Sequence, residues 1–479
     1  MDELKKIFQE YYTLNDIAGI LFWDNATYLP QNSSQSRSEQ LAVLSKLTDK
    51  TLRNNNLDSI IANIDINNLS KYDKKNFVLM REIISQENSV DPLLKEKLIR
   101  KKIQCEQAWR IAKEKNDISI VKEAFDDVLS LTIEESKQLS LKSGKSPYDS
   151  LIGKYDIDLS SSEIDRLFSV IQQTIIPTYL EADKITNARL PEINIDNSVL
   201  LENMKYFMTA LKFDFKRGRI DLSNHPFCGG ANDDIRITTR FEKNIFESIS
   251  ALFHESGHGL YEQNRPKDNL YQPIGQSRSL TFHESQSLFF ENHIFKSINF
   301  FKLLTKNFSN KSNLLEIFKE NYHSIKINPI WVSSDEFSYP IHIYIRYEIE
   351  KIIFSEKLDL MDIREIWNKM YKEMLGISIT NDREGVLQDI HWFEGVYGYF
   401  PTYATGAMMA SQLKYNYSKY DEFISNPNEK NMGEISQWLI DNIHQHGSKH
   451  SMAEILNRIS KEELNPNYLV KHLEERFKV

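Results

Sequence analysis

The stretch His254-Glu255-Ser256-Gly257-His258 constrains this chain more tightly than any other, because its residue types and spacing dictate both a local conformation and a chemistry. On an α-helix, positions i and i+4 lie on one face, so the two imidazoles point at the same place. Ile245, Phe246, Ile249, Leu252, Phe253 and Leu260 recur around them at helical spacing, which predicts a buried helix. Buried imidazoles need partners, and a single metal ion, zinc above all, serves both. Glu255 then stands beside the metal rather than on it, where a general base can take a proton from water. Gly257 and Gly259 oppose the helix by about 1 kcal/mol each relative to Ala. Tight packing against a neighbouring element would account for both.

A catalytic zinc site uses three protein ligands and keeps one position open, and a carboxylate commonly supplies the third ligand. Residues 279–292 hold Glu284 and Glu291, two turns apart on a second expected helix, with His283 adjoining the first. Spacing alone weighs the two glutamates equally and ranks His283 behind them. Leu288, Phe289, Phe290 and Ile294 predict that this helix is buried as well.

His254-Glu255-x-x-His258 followed by His283-Glu284-Ser285-Gln286 resembles the paired signature of the thermostable (Taq-type) metallocarboxypeptidase family. Asp234-Ile235-Arg236-Ile237-Thr238 is similar to its Asp-x-Arg-x-Thr motif, and Gly385-Val386-Leu387-Gln388-Asp389-Ile390-His391-Trp392 to its Gly-x-x-Gln-Asp-x-His-Trp motif. Similarity extends from Trp23-Asp24 to His444-Gln445-His446-Gly447. The resemblance implies that Glu284 is the third ligand of one zinc ion per chain, with another divalent metal such as cobalt as the alternative. It also implies a homodimer and a broad tolerance of side chains. The implied fold is mainly α, a large neurolysin-like architecture with a deep central groove and a small β element beside the zinc helix. His391 and Tyr403 have a spacing similar to that of the His and Tyr that stabilise the oxyanion in neurolysin-like peptidases, with Tyr397 and Tyr399 ranked behind Tyr403.

One family landmark is broken. Where the pattern has Arg, two residues, then Ala and Asp, this chain has Trp331, Ser334 and Asp335. A guanidinium is shaped to grip a terminal carboxylate and an indole is not. Arg236, Arg240 and Arg346 are the candidates to replace it, with Tyr399 as a further substrate contact. The resemblance puts Arg236 at the closed end of the groove, although a structural pair with Asp234 explains it equally well. Asp335 is a candidate hydrogen-bond partner for a zinc-bound imidazole.

The rest of the chain is consistent with a soluble helical enzyme. Its 479 residues, 41% hydrophobic and 27% charged, suffice for a sizeable core and show no composition break. A single domain over residues 1–479 is expected, or two helical lobes flanking the groove. The net charge of -9 argues against a nucleic-acid partner. Two cysteines suit a reducing cytosol, and neither a signal-like start nor a membrane-length apolar run is present, so a cytoplasmic location without a membrane partner is expected. Amphipathic helices are predicted over residues 1–50 and 55–145, with Ser160 to Ser162, ahead of Glu163, offering an N-cap for the next helix. A loop is expected over 225–230, and a strand over 235–241 as one wall of the cleft. His444, His446 and His450 read as a surface helix end.

Together these features predict a zinc-dependent metallocarboxypeptidase that shortens small peptides one C-terminal residue at a time. Glu255 would be the base and His391 with Tyr403 would stabilise the oxyanion. The missing Arg keeps a zinc oligoendopeptidase as the alternative, and a non-catalytic zinc-containing peptide-binding protein as a third reading.

Overall fold

The computed structural model describes residues 1–53, 56–191, 196–223, 225–242, 244–306 and 311–479. Helices take up 69% of the chain and strands 4%, so helix packing decides the architecture, as the expected mainly α class requires. The long helices begin and end where local chemistry sets their limits. Asp91 caps the Pro92–Lys115 helix by accepting from Leu93 N, and Asn116 ends it in the left-handed conformation. The Lys122–Ser143 helix returns alongside it and stops at Gly144, φ +70°. Of the three serines at 160–162, Ser160 caps the Ser161–Val170 helix, accepting from Glu163 N.

Among the described residues two apolar cores hold these helices. A small one gathers Leu4 and Phe8 of the first helix, Asp2–Thr27, with Leu52, Leu57, Phe77, Met80 and Ile84. The large one runs from Val90 to Leu473 and encloses the histidine helix, Ile245–Gln263. Trp23 is packed, with Arg236 stacked over its ring at 4.3 Å, while Asp24 pairs with Arg37 at 2.6 Å.

Among the described residues five short strands complete the fold: β1 (Lys184–Ile185), β2 (Gly218–Leu222), β3 (Cys228–Ala231), β4 (Asp234–Thr239) and β5 (Ile325–Lys326). β1 pairs in parallel with β5, while β4 lies between parallel β2 and antiparallel β3. The strand expected over 235–241 is thus β4, whose Ile235 and Ile237 are buried. The loop expected over 225–230 requires correction, because Cys228-Gly229-Gly230-Ala231 form an edge strand. Those residues carry little β propensity, and their pairing with β4 makes the strand.

The two glycines of the histidine helix have a packing reason. A Cβ on Gly257 would lie 2.3 Å from the Gln286 carbonyl oxygen, and one on Gly259 would lie 2.8 Å from Ile237 Cδ1. The helix therefore touches the backbone of its neighbour on one side and β4 on the other. Because the first obstacle is backbone, Gly257→Ala is expected to destabilise the protein by about 1–3 kcal/mol. The lower urea midpoint would show this, and an unchanged midpoint would contradict the packing argument.

Candidate active site

Two capped helices bring the chemistry together. The Asn244 side chain accepts from Phe246 N to start the histidine helix, and Ser279 Oγ accepts from Phe282 N to start the Leu280–Leu288 helix that carries Glu284. The second helix continues with π winding over Phe289–Phe295, a distortion common at functional sites. Gly406, on the Pro401–Asn416 helix, lets that helix close on Glu284, since an added Cβ would lie 2.7 Å from both Cβ and Cγ of the glutamate.

His254, His258 and Glu284 each direct one ligand atom to a common point, all within 4.8 Å of one another. Both imidazole Nε2 atoms lie 3.7 Å from Glu284 Oε2. Tetrahedral bonds of about 2.0–2.2 Å set donors roughly 3.3–3.6 Å apart, so the cluster fits a zinc-sized dication with little adjustment. Spacing had left Glu284 and Glu291 tied. In the fold Glu291 serves the histidine instead: its Oε2 lies 2.8 Å from His254 Nδ1, while Oε1 accepts from Ser250 Oγ and Lys296 Nζ, each at 2.8 Å.

His258 has a different partner. With Nε2 facing the site, the hydrogen-bond pattern assigns its Nδ1–H to His283 Nδ1 at 3.1 Å. His283 Nε2–H then donates to Glu262 Oε1 at 2.7 Å, and Glu262 pairs with Arg265 at 2.8 Å. The sequence reading overlooked Glu262, although its place four residues after His258 on the same helix face was a visible signal. It also overlooked Tyr339, whose hydroxyl lies 3.4 Å from Glu284 Oε1.

The charges leave room for a cation. Glu291 is answered by Lys296 and Glu262 by Arg265, whereas Glu255 and Glu284 have no lysine or arginine partner among the described residues. Burial pushes the Glu255 carboxyl up to about 7; His254 opposes the shift, and Glu284 and Glu291 add to it. Burial disfavours a charged His254, yet Glu284 and Glu291 outweigh it and raise that imidazole to about 10. Burial, followed by the charge of His254, lowers His258.

These residues line one cleft of about 670 Å³. His254, Glu255, His258 and Glu284 line it together with Tyr399, Thr402 and Tyr403, and residues 226–232 with Tyr12, Asn15 and Asp16 complete the lining. His391 stands behind Tyr403, with Nε2 3.4 Å from its hydroxyl. Tyr397 is only 1% exposed and belongs to the core, whereas Tyr399 lines the cleft.

Several expectations need correction. Arg346 is not available to a substrate, because it is 0% exposed and its Nε donates to Asp389 Oδ2 at 2.7 Å. Arg236 is bound to Asp234 at 2.7 Å, the structural pairing weighed above. Asp335 does not meet an imidazole; it accepts from Lys326 N, Phe337 N and Ser338 N, fixing the chain ahead of the Tyr339–Ser355 helix. His444 is buried at 1% and lies 2.8 Å from Gln286 Oε1, so it is no surface residue. Trp331, at the broken landmark, donates Nε1–H to Asp389 and packs its ring 5.0 Å from that of Tyr403.

A profile of the carboxypeptidase Taq (M32) metallopeptidase family matches residues 3–477. The chain belongs to that family. Members of this M32 family are carboxypeptidases that use a divalent metal, and the chain is accordingly a metallocarboxypeptidase. It is 32% identical over 494 residues to carboxypeptidase 1 of Bacillus subtilis (strain 168), covering 99% of this chain and 97% of that protein. It is 29% identical to thermostable carboxypeptidase 1 of Pyrococcus furiosus over 500 residues, 99% of this chain and 98% of that protein. The solved structure of Trypanosoma cruzi metallocarboxypeptidase 1 superposes with a TM-score of 0.92 at 30% identity, covering 100% of this chain and 99% of the other.

Within this M32 site, Glu291→Ala is expected to weaken metal binding about 10- to 100-fold in chelator competition. Unchanged affinity would contradict the role of Glu291 in holding His254. Because the raised His254 is protonated in the metal-free site at neutral pH, metal loading must expel that proton, and affinity should rise with pH. Calorimetry in buffers of different ionisation enthalpy is expected to find about one proton released per metal bound near neutrality.

Proposed function

We propose that the chain is a zinc-dependent carboxypeptidase that releases C-terminal residues one at a time from short peptides, with His254, His258 and Glu284 holding the ion. The observation that carries this reading is the convergence of their donor atoms, within 4.8 Å of one another, in the same cleft as Glu255 and Tyr403. A zinc ion bound there would acidify a water molecule and polarise the scissile carbonyl. Glu255 takes a proton from the attacking water and passes it to the leaving amine. Tyr403 donates its hydroxyl to the carbonyl oxygen as negative charge builds there, and His391, 3.4 Å behind, sets the direction of that hydroxyl. Tyr12, Phe227, Ile235 and Tyr399 along the cleft suit varied side chains.

Trp331 favours a second reading, a zinc oligoendopeptidase. Its one donor is spent on Asp389 and Arg346 is enclosed, so neither remains to meet a free terminal carboxylate. A homodimer follows only from the family resemblance. A cytoplasmic location is supported by two unpaired cysteines, and no described helix is long and apolar enough to cross a membrane.

Short peptides with free or amidated C-termini, followed by mass spectrometry, separate the two activities. Stepwise loss of single residues from the free acid alone is expected, and equal cleavage of the amide would favour the endopeptidase. A chelator should stop turnover. Glu255→Gln should lower kcat by about 10²- to 10⁴-fold with metal content retained, and substantial turnover in that variant would remove Glu255 as the base.

A further inference from the structure

His391 lacks firm bonds of its own. Its Nδ1 is buried without a hydrogen-bond partner among the described residues, and its Nε2 has only the 3.4 Å contact with Tyr403. Its direction therefore comes from ring packing, with Phe400 at 4.5 Å, and from the backbone segment that carries both rings. Glu350, on the Tyr339–Ser355 helix, holds that segment at two points. It is 0% exposed, and Oε1 accepts from Trp392 Nε1 at 2.7 Å, next to His391. Oε2 accepts from the Gly398 amide at 2.8 Å, next to Tyr399, and from the Tyr148 hydroxyl at 2.8 Å. Gly398 has φ +81°, and a Cβ there would meet Ile152 N at 2.7 Å, so the amide has little freedom to turn elsewhere.

The same helix fixes the start of the segment. Four residues before Glu350, Arg346 donates Nε to Asp389 at 2.7 Å and Nη2 to Gln388 Oε1 at 2.9 Å. Its first residue, Tyr339, reaches Glu284. One helix thus touches the metal-facing carboxylate, the residues just ahead of the segment and the segment itself. An apolar residue at 350 would leave the Trp392 and Gly398 donors buried and unpaired, which costs more than the bonds themselves contribute.

We propose that Glu350 is a positioning residue for the oxyanion donor: its buried carboxylate pins residues 391–399, so that His391 aligns Tyr403 over the scissile carbonyl. The proposal rests on the oxyanion role given to His391 and Tyr403 above. Glu350 touches no substrate. It acts by holding the segment to a fraction of an ångström, where misplacement by about 1 Å can cost about a hundredfold in rate.

The test uses the full-length, metal-loaded enzyme on one short peptide, with Tm, metal content, KM and kcat measured for each variant. Glu350→Gln and Trp392→Phe should each lower kcat about ten- to a hundredfold, with KM and metal content changed by less than about twofold. Tyr148→Phe, which removes a donor outside the segment, should keep kcat. If Glu350 acts through His391, its effect must vanish in a His391→Ala background rather than add to it. Unchanged kcat in Glu350→Gln, or a full extra loss in the double variant, overturns the proposal. Should Glu350→Gln fail to fold, Trp392→Phe, which removes the Nε1–H donor together with part of the buried indole, carries the same cycle, with Tm separating the packing loss from the lost bond. His391→Ala alone tests the underlying reading. If it leaves kcat intact, that reading fails and takes the proposal with it, whereas a loss there with none in the other two variants sinks the proposal alone.

Discussion

Backbone contact between the histidine helix and the Leu280–Leu288 helix is the constraint on which the site depends. At Gly257 the two approach so closely that a single methyl group would lie 2.3 Å from the Gln286 carbonyl oxygen. That approach brings both imidazole Nε2 atoms to 3.7 Å from Glu284 Oε2. Metal bonds near 2 Å cannot stretch to follow helices pushed apart. The local cost of two glycines in a helix is about 1 kcal/mol each. It is offset by burial of Phe246, Ile249, Leu252, Phe253 and Leu260, each worth about 1.5–3 kcal/mol.

Charge placement follows from the same packing. Four carboxylates surround two histidines in a low-dielectric interior, where unanswered charge is expensive. Glu291 and Glu262 are neutralised locally, by Lys296 and Arg265, and are thereby committed to orienting His254 and, through His283, His258. Glu284 and Glu255 lack such partners among the described residues and face the cleft, one where it can bind a dication and the other where it can accept a proton. Identical side chains thus take separate roles through their neighbours rather than through their chemistry. Trp331 shows the reverse case, because an indole in place of a guanidinium still serves Asp389 and Tyr403 but offers nothing to an anion.

Much of this was legible in the residues, because helical periodicity and i, i+4 spacing are local properties. His254, His258 and Glu255 fall on one helix as that spacing requires. The tie between Glu284 and Glu291 could not be broken by regular α-helical spacing, since the winding turns to π at Phe289, just before Glu291. β3 went unseen because Cys228-Gly229-Gly230-Ala231 is a strand only by virtue of its neighbour. Arg346 and His444 were misjudged for a common reason: a polar residue buried by tertiary packing looks the same in sequence as one exposed to solvent. Glu262 was readable from its place on the His258 face and was missed.

The most direct test of the account is anomalous diffraction at the zinc edge from crystals of the zinc-loaded protein. A single peak is expected at about 2.0–2.2 Å from His254 Nε2, His258 Nε2 and a Glu284 oxygen. A peak on any other set of side chains, or none in protein that still cleaves peptides, would contradict it.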